Sequence, residues 1–390
     1  MAAGPGPTLL CVCSAYKGDH FLERCKEEGC HVILLTSEVH LHDPWPRQAI
    51  DEVYALPHFR DCRMIVNAVS HLARTRAIRR IVALDDADME VVAHLREHLR
   101  LPGLTESATR LFRDKLAMRA KARELGVRFP EYVGIINHDE VRHFLANVPG
   151  PWLMKPRPQA LAAGVQKVST ADEVWRAIDR LGDEQSFYLI ERFVPGDLFH
   201  VESLVADGRV VFAEVNQYWR PVLDVHEPKG VYASRTVPRD GPLASTLRRL
   251  NERVLTGFGL GRGAAHTQFM KAHADGEVYF IESSARVGGS YTGDMIEAAT
   301  GLNLWGEWAK LEAHADAAYA PPSATTRYAG VVLAPARPRS PDISQFTDPE
   351  IVGRVKTGER VGVVIAADGP QRIESLLSDY VQRLADPHVS

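Results

Sequence analysis

The chain lacks the features that mark several large classes of protein. No run of 18 apolar residues occurs among its 390 positions, so we expect no membrane span. The motifs GxSxG, HExxH and Walker A are absent, which argues against a serine hydrolase, a zincin and a P-loop protein. The net charge of -4 shows no basic excess, so we expect no nucleic-acid and no membrane partner.

Cysteine is also scarce, and its placement is uneven. The five cysteines are Cys11, Cys13, Cys25, Cys30 and Cys62, and no CxxC or Cys/His metal spacing joins them. An odd number without such spacing favours a reduced, cytoplasmic protein with buried thiols over a disulfide or zinc framework. The first 20 residues lack a basic region before a long apolar run, so we expect no signal peptide.

The length predicts more than one hydrophobic core, because 390 residues exceed the size of an ordinary domain. Strand and helix patterns alternate over residues 1–102, which predicts a doubly wound α/β domain. Its first turn, SAYKGDH, lacks GxGxxG, so dinucleotide binding there is disfavoured. Residues 103–320 follow with a long helix predicted over 106–125. A proline-rich linker leads to an α+β piece at 321–390.

The most informative segments, 264–272 and 277–289, alternate apolar and polar residues on either side of a turn at 274–276. This pattern predicts a β-hairpin. A three-residue loop would place His273 opposite Glu277, Gln268 opposite Glu282 and His266 opposite Ser284. Oxygen atoms of the kind magnesium prefers would then cluster on one face, from Gln268, Glu282 and Ser284. Arg286 follows, with a guanidinium suited to phosphate or carboxylate. The alternative is a strand pair whose polar face is solvated.

Three further segments are candidates for ligand binding. Lys155 ends an apolar strand before a loop that reaches Gly164, an arrangement that can hold phosphate, although many surface lysines end strands. Lys115 lies on a predicted helix face that, alone, is typical of a solvated basic face. The segment YLIERFVPGD, around Glu191, can offer backbone groups and apolar walls to an adenine ring or can be an ordinary strand and turn.

Three aspartates and two histidines are further candidates for the site. Asp85, Asp86 and Asp88 follow a strand end, where α/β proteins place ligands, but a helix N-cap formed by Asp86 or Asp88 is favoured. Among the histidines, His200 and His266 are the two expected near the site. The glycine-rich GFGLGRG follows a helix and precedes a strand, so it predicts a helix end rather than a nucleotide loop.

In this order, Lys115, Lys155 with Gly164, LIERFVPGD, the Gln268/Glu282/Ser284 set and the sequence RVGG from Arg286 resemble an ATP-grasp enzyme. The resemblance covers about residues 1–330 and points to the branch of the carbamoyl-phosphate synthetase large chain, biotin carboxylase and the L-amino-acid ligases. It implies an α/β N-terminal domain plus an α+β ATP-grasp fold of two lobes gripping ATP, with a small C-terminal α+β piece.

The resemblance also implies roles for individual residues. Arg286 and Lys155 would be catalytic, and Gln268, Glu282 and Ser284 would hold Mg²⁺, with Mn²⁺ able to substitute. The residues binding ATP would be Lys115, Lys155, Gly164, Glu191, Arg192, Phe193, Val194 and Asp197. The residues touching substrate would be His266, Gly288, Gly289 and Arg235. Further candidates for gripping a substrate carboxylate are Tyr218, Arg220 and Arg327.

The implied reaction joins a small carboxylic acid and an amine into an amide or peptide bond through an acyl phosphate. Several residues depart from the family pattern. Ser284 stands where asparagine is usual, Gln268 replaces a more common acid, the phosphate loop is poor in glycine, and Leu198 holds a ribose-binding position beside Asp197. Two alternatives therefore remain, a nucleotide-binding regulatory pseudoenzyme and a bicarbonate-using carboxylase. A homodimer is one open expectation.

Overall fold

The N-terminal part of the protein is a parallel α/β sheet. The computed structural model describes residues 6–59, 61–159, 164–220, 230–315, 317–336 and 342–385. The first strands are β1 (Thr8–Cys13), β2 (His31–Ser37), β3 (Glu52–Leu56) and β4 (Ile78–Ala83), and they lie in the order β3-β2-β1-β4. The helices between and after them are α1 (Asp19–Glu27), α2 (Cys62–Ala73) and α3 (Met89–Leu99). β1 and β2, at the centre of the sheet, are largely apolar runs because both faces of such a sheet are covered. The predicted α/β domain is confirmed.

A small antiparallel sheet follows. Its strands are β5 (Tyr132–Gly134), β6 (Trp152–Pro156), β7 (Gln166–Val168) and β8 (Tyr188–Arg192), in the order β5-β8-β6-β7. Two helices, α6 (His138–Asn147) and α7 (Ala171–Leu181), belong to this lobe. Thr170 caps the second helix in a capping box with Glu173. Val174 and Ile178 of α7 pack with Trp152 in one core, which fixes the helix on the sheet.

An eight-stranded sheet forms the largest part of the protein. Its strands are β9 (Gly196–Ala206), β10 (Arg209–Tyr218), β11 (Tyr232–Thr236), β12 (Gly263–Ala272), β13 (Val278–Ser284), β14 (Tyr328–Pro335), β15 (Ile351–Lys356) and β16 (Arg360–Ala367). The order is β13-β12-β9-β10-β11-β14-β16-β15. Its helices are α8 (Pro242–Gly257), α9 (Thr292–Thr300), α10 (Leu304–Ala313) and α11 (Pro370–Ala385). The strands after residue 320 thus complete a sheet begun before it, and the boundary proposed there stays a prediction.

The structure corrects the long helix predicted over 106–125. Two helices occupy this segment, α4 (Glu106–Arg110) and α5 (Lys115–Glu124). The second begins after Asp114, whose side chain accepts the backbone N–H of Leu116 at 2.9 Å and pairs with Arg157. A residue that caps a new helix interrupts the preceding one, because its backbone is extended. Lys115 therefore lies at the first turn of a helix.

The glycine-rich segment behaves as predicted, since α8 ends at Gly257 and Gly259 adopts a left-handed conformation with φ of 78°. The predicted phosphate loop lies partly outside the described residues, at 160–163, and residues 221–229 are outside them as well. In the described part of the chain, no helix has both the length and the apolar character needed to cross a membrane.

Candidate active site

A cleft of about 540 Å³ lies where the small sheet, the edge of the large sheet and the α4–α5 segment meet. The predicted site residues on its wall are Lys115, Lys155, Glu191, Arg192, Phe193, Val194, Asp197, His266, Gln268, Glu282, Ser284, Arg286 and Gly289. Gly164, Gly288 and Arg235 are not on this wall. The cleft has two ends. The hairpin end is formed by Gln268, Glu282, Ser284 and Arg286, and the linker end by Lys155 and residues 191–197.

The hairpin places its polar residues in the predicted register. Gln268 pairs with Glu282, and His266 pairs with Ser284. The turn itself differs, because Glu277 pairs with Ala272 instead of His273, through a 2.9 Å bond from the Ala272 N–H. The register shifts by one residue at Ile281, which lies between Glu282 and the pair of Phe269 with Phe280. This β-bulge restores the predicted face where the site lies.

At the hairpin end, Lys115 neutralises the predicted metal ligand Glu282. The ammonium lies 3.0 Å from the Glu282 carboxylate and donates to the backbone oxygen of Gln159 at 2.5 Å. Burial raises the pKa of Glu282, but the charge and hydrogen bond of Lys115, together with the charges of Lys155 and His266, outweigh burial and the net shift is downward. The carboxylate is therefore charged at neutral pH and is available as a metal ligand.

Gln268 and Ser284 differ as possible metal ligands. The Gln268 amide nitrogen donates to His266 Nε2 at 3.1 Å, which leaves the amide oxygen free of that bond. Ser284 lies beside Asp86 and helps to lower the pKa of that carboxylate, so its hydroxyl is drawn toward the N-terminal domain. The donor chemistry of Glu282 and Gln268 fits Mg²⁺, and Ser284 is the weaker member of the set. All three assignments stay predictions.

At the linker end, Glu191 is the centre of a buried charge cluster. Its carboxylate accepts from Arg119 Nε at 2.5 Å and from Lys155 Nζ. The side chains of Arg119 and Glu191 are both fully buried. Burial raises the pKa of Glu191, but the two cations outweigh it and lower the pKa to about 2. The Glu191 side chain therefore orients Lys155, and only its backbone is left to contact a ring.

The other residues of the linker end form the rim and the apolar walls. Phe193 and Val194 line the cleft together with Leu153 from β6. Asp197 is half exposed at the start of β9, 3.3 Å from His273. An apolar cleft wall beside an accessible carboxylate suits a nucleoside. Its base can pack on the wall, and its ribose carries hydroxyl donors for the carboxylate.

Arg286 is held by the N-terminal domain. Its Nε donates to Asp86 Oδ2 at 2.8 Å, Nη2 donates to the same oxygen, and Nη1 donates to the Val287 carbonyl at 3.0 Å. Burial raises the pKa of Asp86, but the charges of Arg286 and Arg113 outweigh it and lower the pKa to about 2. Asp86 thus pairs with a predicted site residue and does not cap a helix, whereas the sequence favoured a cap at Asp86 or Asp88.

The neighbouring aspartates also correct that interpretation. Asp85 provides the cap, accepting the Ala87 N–H at 3.0 Å, and it pairs with Lys17. Asp88 holds the N-cap position of α3 without a capping bond and instead accepts the Ser14 N–H at 2.9 Å. Asp86 differs from Asp85 and Asp88 in its contact with Arg286, which lies 200 positions away in the sequence.

Glu202 was missed by sequence reasoning and organises the predicted substrate side. One carboxylate oxygen accepts from Nδ1 of both His200, at 2.8 Å, and His266. The other oxygen accepts the Gly288 N–H at 3.1 Å, and a Cβ on Gly288 would lie 2.8 Å from it. Possible metal-ligand atoms of His200, Glu202 and His266 lie within 4.8 Å of one another, but the hydrogen bonds just described already engage these side chains. The period-2 spacing of His200 and Glu202 on β9 was the available signal.

The predicted substrate residue Arg235 is engaged elsewhere. Its guanidinium pairs with Glu374 of α11 at 2.5 Å and with the Gln217 side chain at 3.0 Å. The structure therefore brings Tyr218, but not Arg235, to the cleft wall.

Comparisons with known proteins agree with this architecture. A family model of the ATP-grasp N-terminal domain matches residues 22–103. The L-arginine-specific L-amino acid ligase of Bacillus subtilis is 21% identical over 301 residues, which are 73% of this chain and 70% of that protein. The crystal structure of an L-amino acid ligase from Bacillus licheniformis has a TM-score of 0.76 at 17% identity, covering 97% of this chain and 98% of the other.

A third similar structure is the biotin carboxylase domain dimer of Hydrogenobacter thermophilus 2-oxoglutarate carboxylase, in complex with MgADP, ADP and bicarbonate. Its TM-score is 0.71 at 14% identity, covering 98% of this chain and 94% of that chain. The fold is the ATP-grasp fold, and the similarity to ligases of this fold supports an ADP-forming ligase. The predicted resemblance to ATP-grasp enzymes is confirmed.

Proposed function

We propose that the protein is an ATP-dependent carboxylate–amine ligase that forms an amide or peptide bond between small metabolites. The observation that carries the proposal is the convergence of Lys115, Lys155 and Arg286 on one cleft with the carboxylate of Glu282. Phosphoryl transfer needs positioning and charge neutralisation more than covalent help from the protein, and these residue types supply both.

In the first step, a carboxylate oxygen of the acid forms a bond to the γ-phosphorus of ATP. The bond from that phosphorus to the β-phosphate oxygen breaks, and ADP leaves with the electron pair. Lys155, fixed by Glu191, would hold phosphate oxygens, and Arg286, fixed by Asp86, would stabilise the charge on the transferring group.

In the second step, the protonated amine, an ammonium group, loses a proton and its nitrogen bonds to the acyl carbon. The carbon–oxygen bond to phosphate breaks, the nitrogen releases a second proton, and phosphate leaves. The phosphate takes up one of these two protons and solvent takes the other. The acyl phosphate must be kept from water, and the cleft walls of the two lobes serve that purpose.

Mg²⁺, when bound, would neutralise the phosphate charge, and Glu282 with Gln268 would hold it. Lys115 would then exchange its contact with Glu282 for phosphate oxygens, because a cation and a metal compete for one carboxylate. The similar structure with MgADP supports both the nucleotide and the metal. Asp197 would accept from a ribose hydroxyl, and the backbone of residues 191–194 would face adenine.

A hydroxylamine trap tests the proposal. The protein is incubated with MgATP, hydroxylamine and each of the 20 L-amino acids or bicarbonate, and hydroxamate and ADP are measured. We expect acid-dependent hydroxamate and equal amounts of ADP, both lost in Glu282→Gln. ADP release with bicarbonate alone would favour a carboxylase. ATP binding without ADP from any acid would favour a regulatory pseudoenzyme.

A further inference from the structure

Arg113 is a cation of the cleft that the implied mechanism does not use. It lies between α4 and the Asp114 cap, and it is one of the residues that line the cleft. Its Nε atom is buried and has no hydrogen-bond partner. Among the described residues its side chain forms no ion pair, whereas Lys115, Lys155, Arg192 and Arg286 on the same wall are each paired with a carboxylate.

The position of Arg113 relates it to the hairpin end. Arg113 and Arg286 line the same cleft wall, and the charge of each lowers the pKa of Asp86. Asp86 Oδ2 is engaged by Arg286, and Asp86 Oδ1 makes no hydrogen bond. Arg113 therefore adds a positive charge to the wall that Arg286 also lines.

An arginine with an unsatisfied buried donor favours an external acceptor. Leaving such a group unpaired costs free energy, and the planar guanidinium matches the two oxygens of a carboxylate or a phosphate. The two lysines already serve the phosphate positions under the proposed function. The wall shared by Arg113 and Arg286 is therefore the place for the second oxyanion of the reaction.

We propose that Arg113 is a further substrate-binding residue that takes an oxyanion beside Arg286, namely the carboxylate of the acid substrate. This inference rests on the proposed ligase function. The same oxyanion chemistry could come from the γ-phosphate of ATP, and the experiment separates the two sources. Asp86 in this arrangement is a positioning residue, which keeps Arg286 from turning away from the substrate.

The test uses the full-length protein, the variants Arg113→Gln and Arg113→Lys, and the control Arg110→Gln. Arg110 is an exposed arginine three residues earlier. The KM for the L-amino acid that gives most hydroxamate is measured, and the Kd for a non-hydrolysable ATP analogue with Mg²⁺ is measured by calorimetry. In Arg113→Gln we expect the acid KM to rise by about 10- to 100-fold with the Kd within about twofold, because charged hydrogen bonds have this strength.

Arg113→Lys should recover part of the loss, and Arg110→Gln should match the wild type. A Kd that rises while the acid KM stays constant would assign Arg113 to the phosphate and overturn the proposal. An acid KM unchanged in Arg113→Gln, with an active wild type, would overturn it while leaving the ligase function intact. A wild type inactive with every acid would overturn both.

Discussion

Each end of the cleft buries one carboxylate beside cations, but the two arrangements are built differently. Glu191 on β8 receives Arg119 from α5 and Lys155 from β6, all within the segment 115–192. Asp86 after β4 receives Arg286 after β13, which lies 200 positions later in the sequence. In both, the cations lower the pKa of the carboxylate to about 2 against the effect of burial.

This difference separates two roles of a buried charge. The Glu191 cluster joins the small sheet to α5, so losing it should weaken the packing between them. The Asp86–Arg286 pair joins the N-terminal domain to the hairpin, so its loss should disturb the reaction more than the fold. Buried ion pairs contribute little net stability, but removing one partner leaves an uncompensated charge. The following experiments test this contrast.

The largest effect is expected for Arg286→Ala. Removing a guanidinium that stabilises a transferring phosphoryl group lowers kcat by about 10³-fold or more. Binding of a non-hydrolysable ATP analogue should stay within a few fold, because the linker end is intact. Steady-state ADP release and calorimetry measure the two quantities. Arg249→Ala, an exposed arginine of α8, is the control. Unchanged kcat would place Arg286 outside the reaction.

Glu191→Gln should reduce stability next most strongly. It leaves Arg119 and Lys155 without their counter-charge in a buried site, at a cost of about 3 kcal/mol. Asp86→Asn should cost less, because Arg286 keeps its bond to the Val287 carbonyl. Urea unfolding measures both, with the exposed Glu184→Gln as control. Equal losses of stability in Glu191→Gln and Asp86→Asn would contradict this difference between the two buried carboxylates.

The pH dependence of stability should report the Glu191 cluster. The folded pKa of about 2 lies below the ordinary value of 4.5, so the contribution is full above pH 4.5. It is lost as the pH falls through the folded pKa, because the unfolded chain takes up the proton first. The difference in unfolding free energy between wild type and Glu191→Gln should shrink by on the order of 3 kcal/mol from pH 6 to pH 2. A constant difference would indicate that Glu191 is not charged in the fold.

The smallest effect is expected for Ser284→Asn. Ser284 lies beside Asp86 and is the weaker candidate metal ligand, and asparagine provides an amide oxygen at the same place. Turnover should stay within about threefold of the wild type, whereas Glu282→Gln should abolish it. Rates measured over a range of Mg²⁺ concentrations check this. A complete loss in Ser284→Asn would make the hydroxyl essential and bring Ser284 level with Glu282.

The hairpin shows how far local patterns predict such a site. Alternation placed Gln268 opposite Glu282 correctly, although the turn was assigned one residue out of register. The bulge at Ile281 shifts the register by one residue and so offsets the wrong turn assignment. The sequence pattern did not predict this bulge. The prediction of one helix over 106–125 was wrong for a related reason. Asp114 was taken as a helix residue, but it is an N-cap that pairs with Arg157.

The sequence by itself determined the parallel N-terminal sheet, the hairpin and the ordered set of lysines, carboxylates and arginine, because apolar periodicity and residue type are local properties. Only the tertiary structure decided their partners. Asp86 beside Arg286, Glu202 between two histidines, and Glu374 engaging Arg235 are contacts between distant segments. A buried charge acquires its function from the charges that face it, and those are set by packing across the fold.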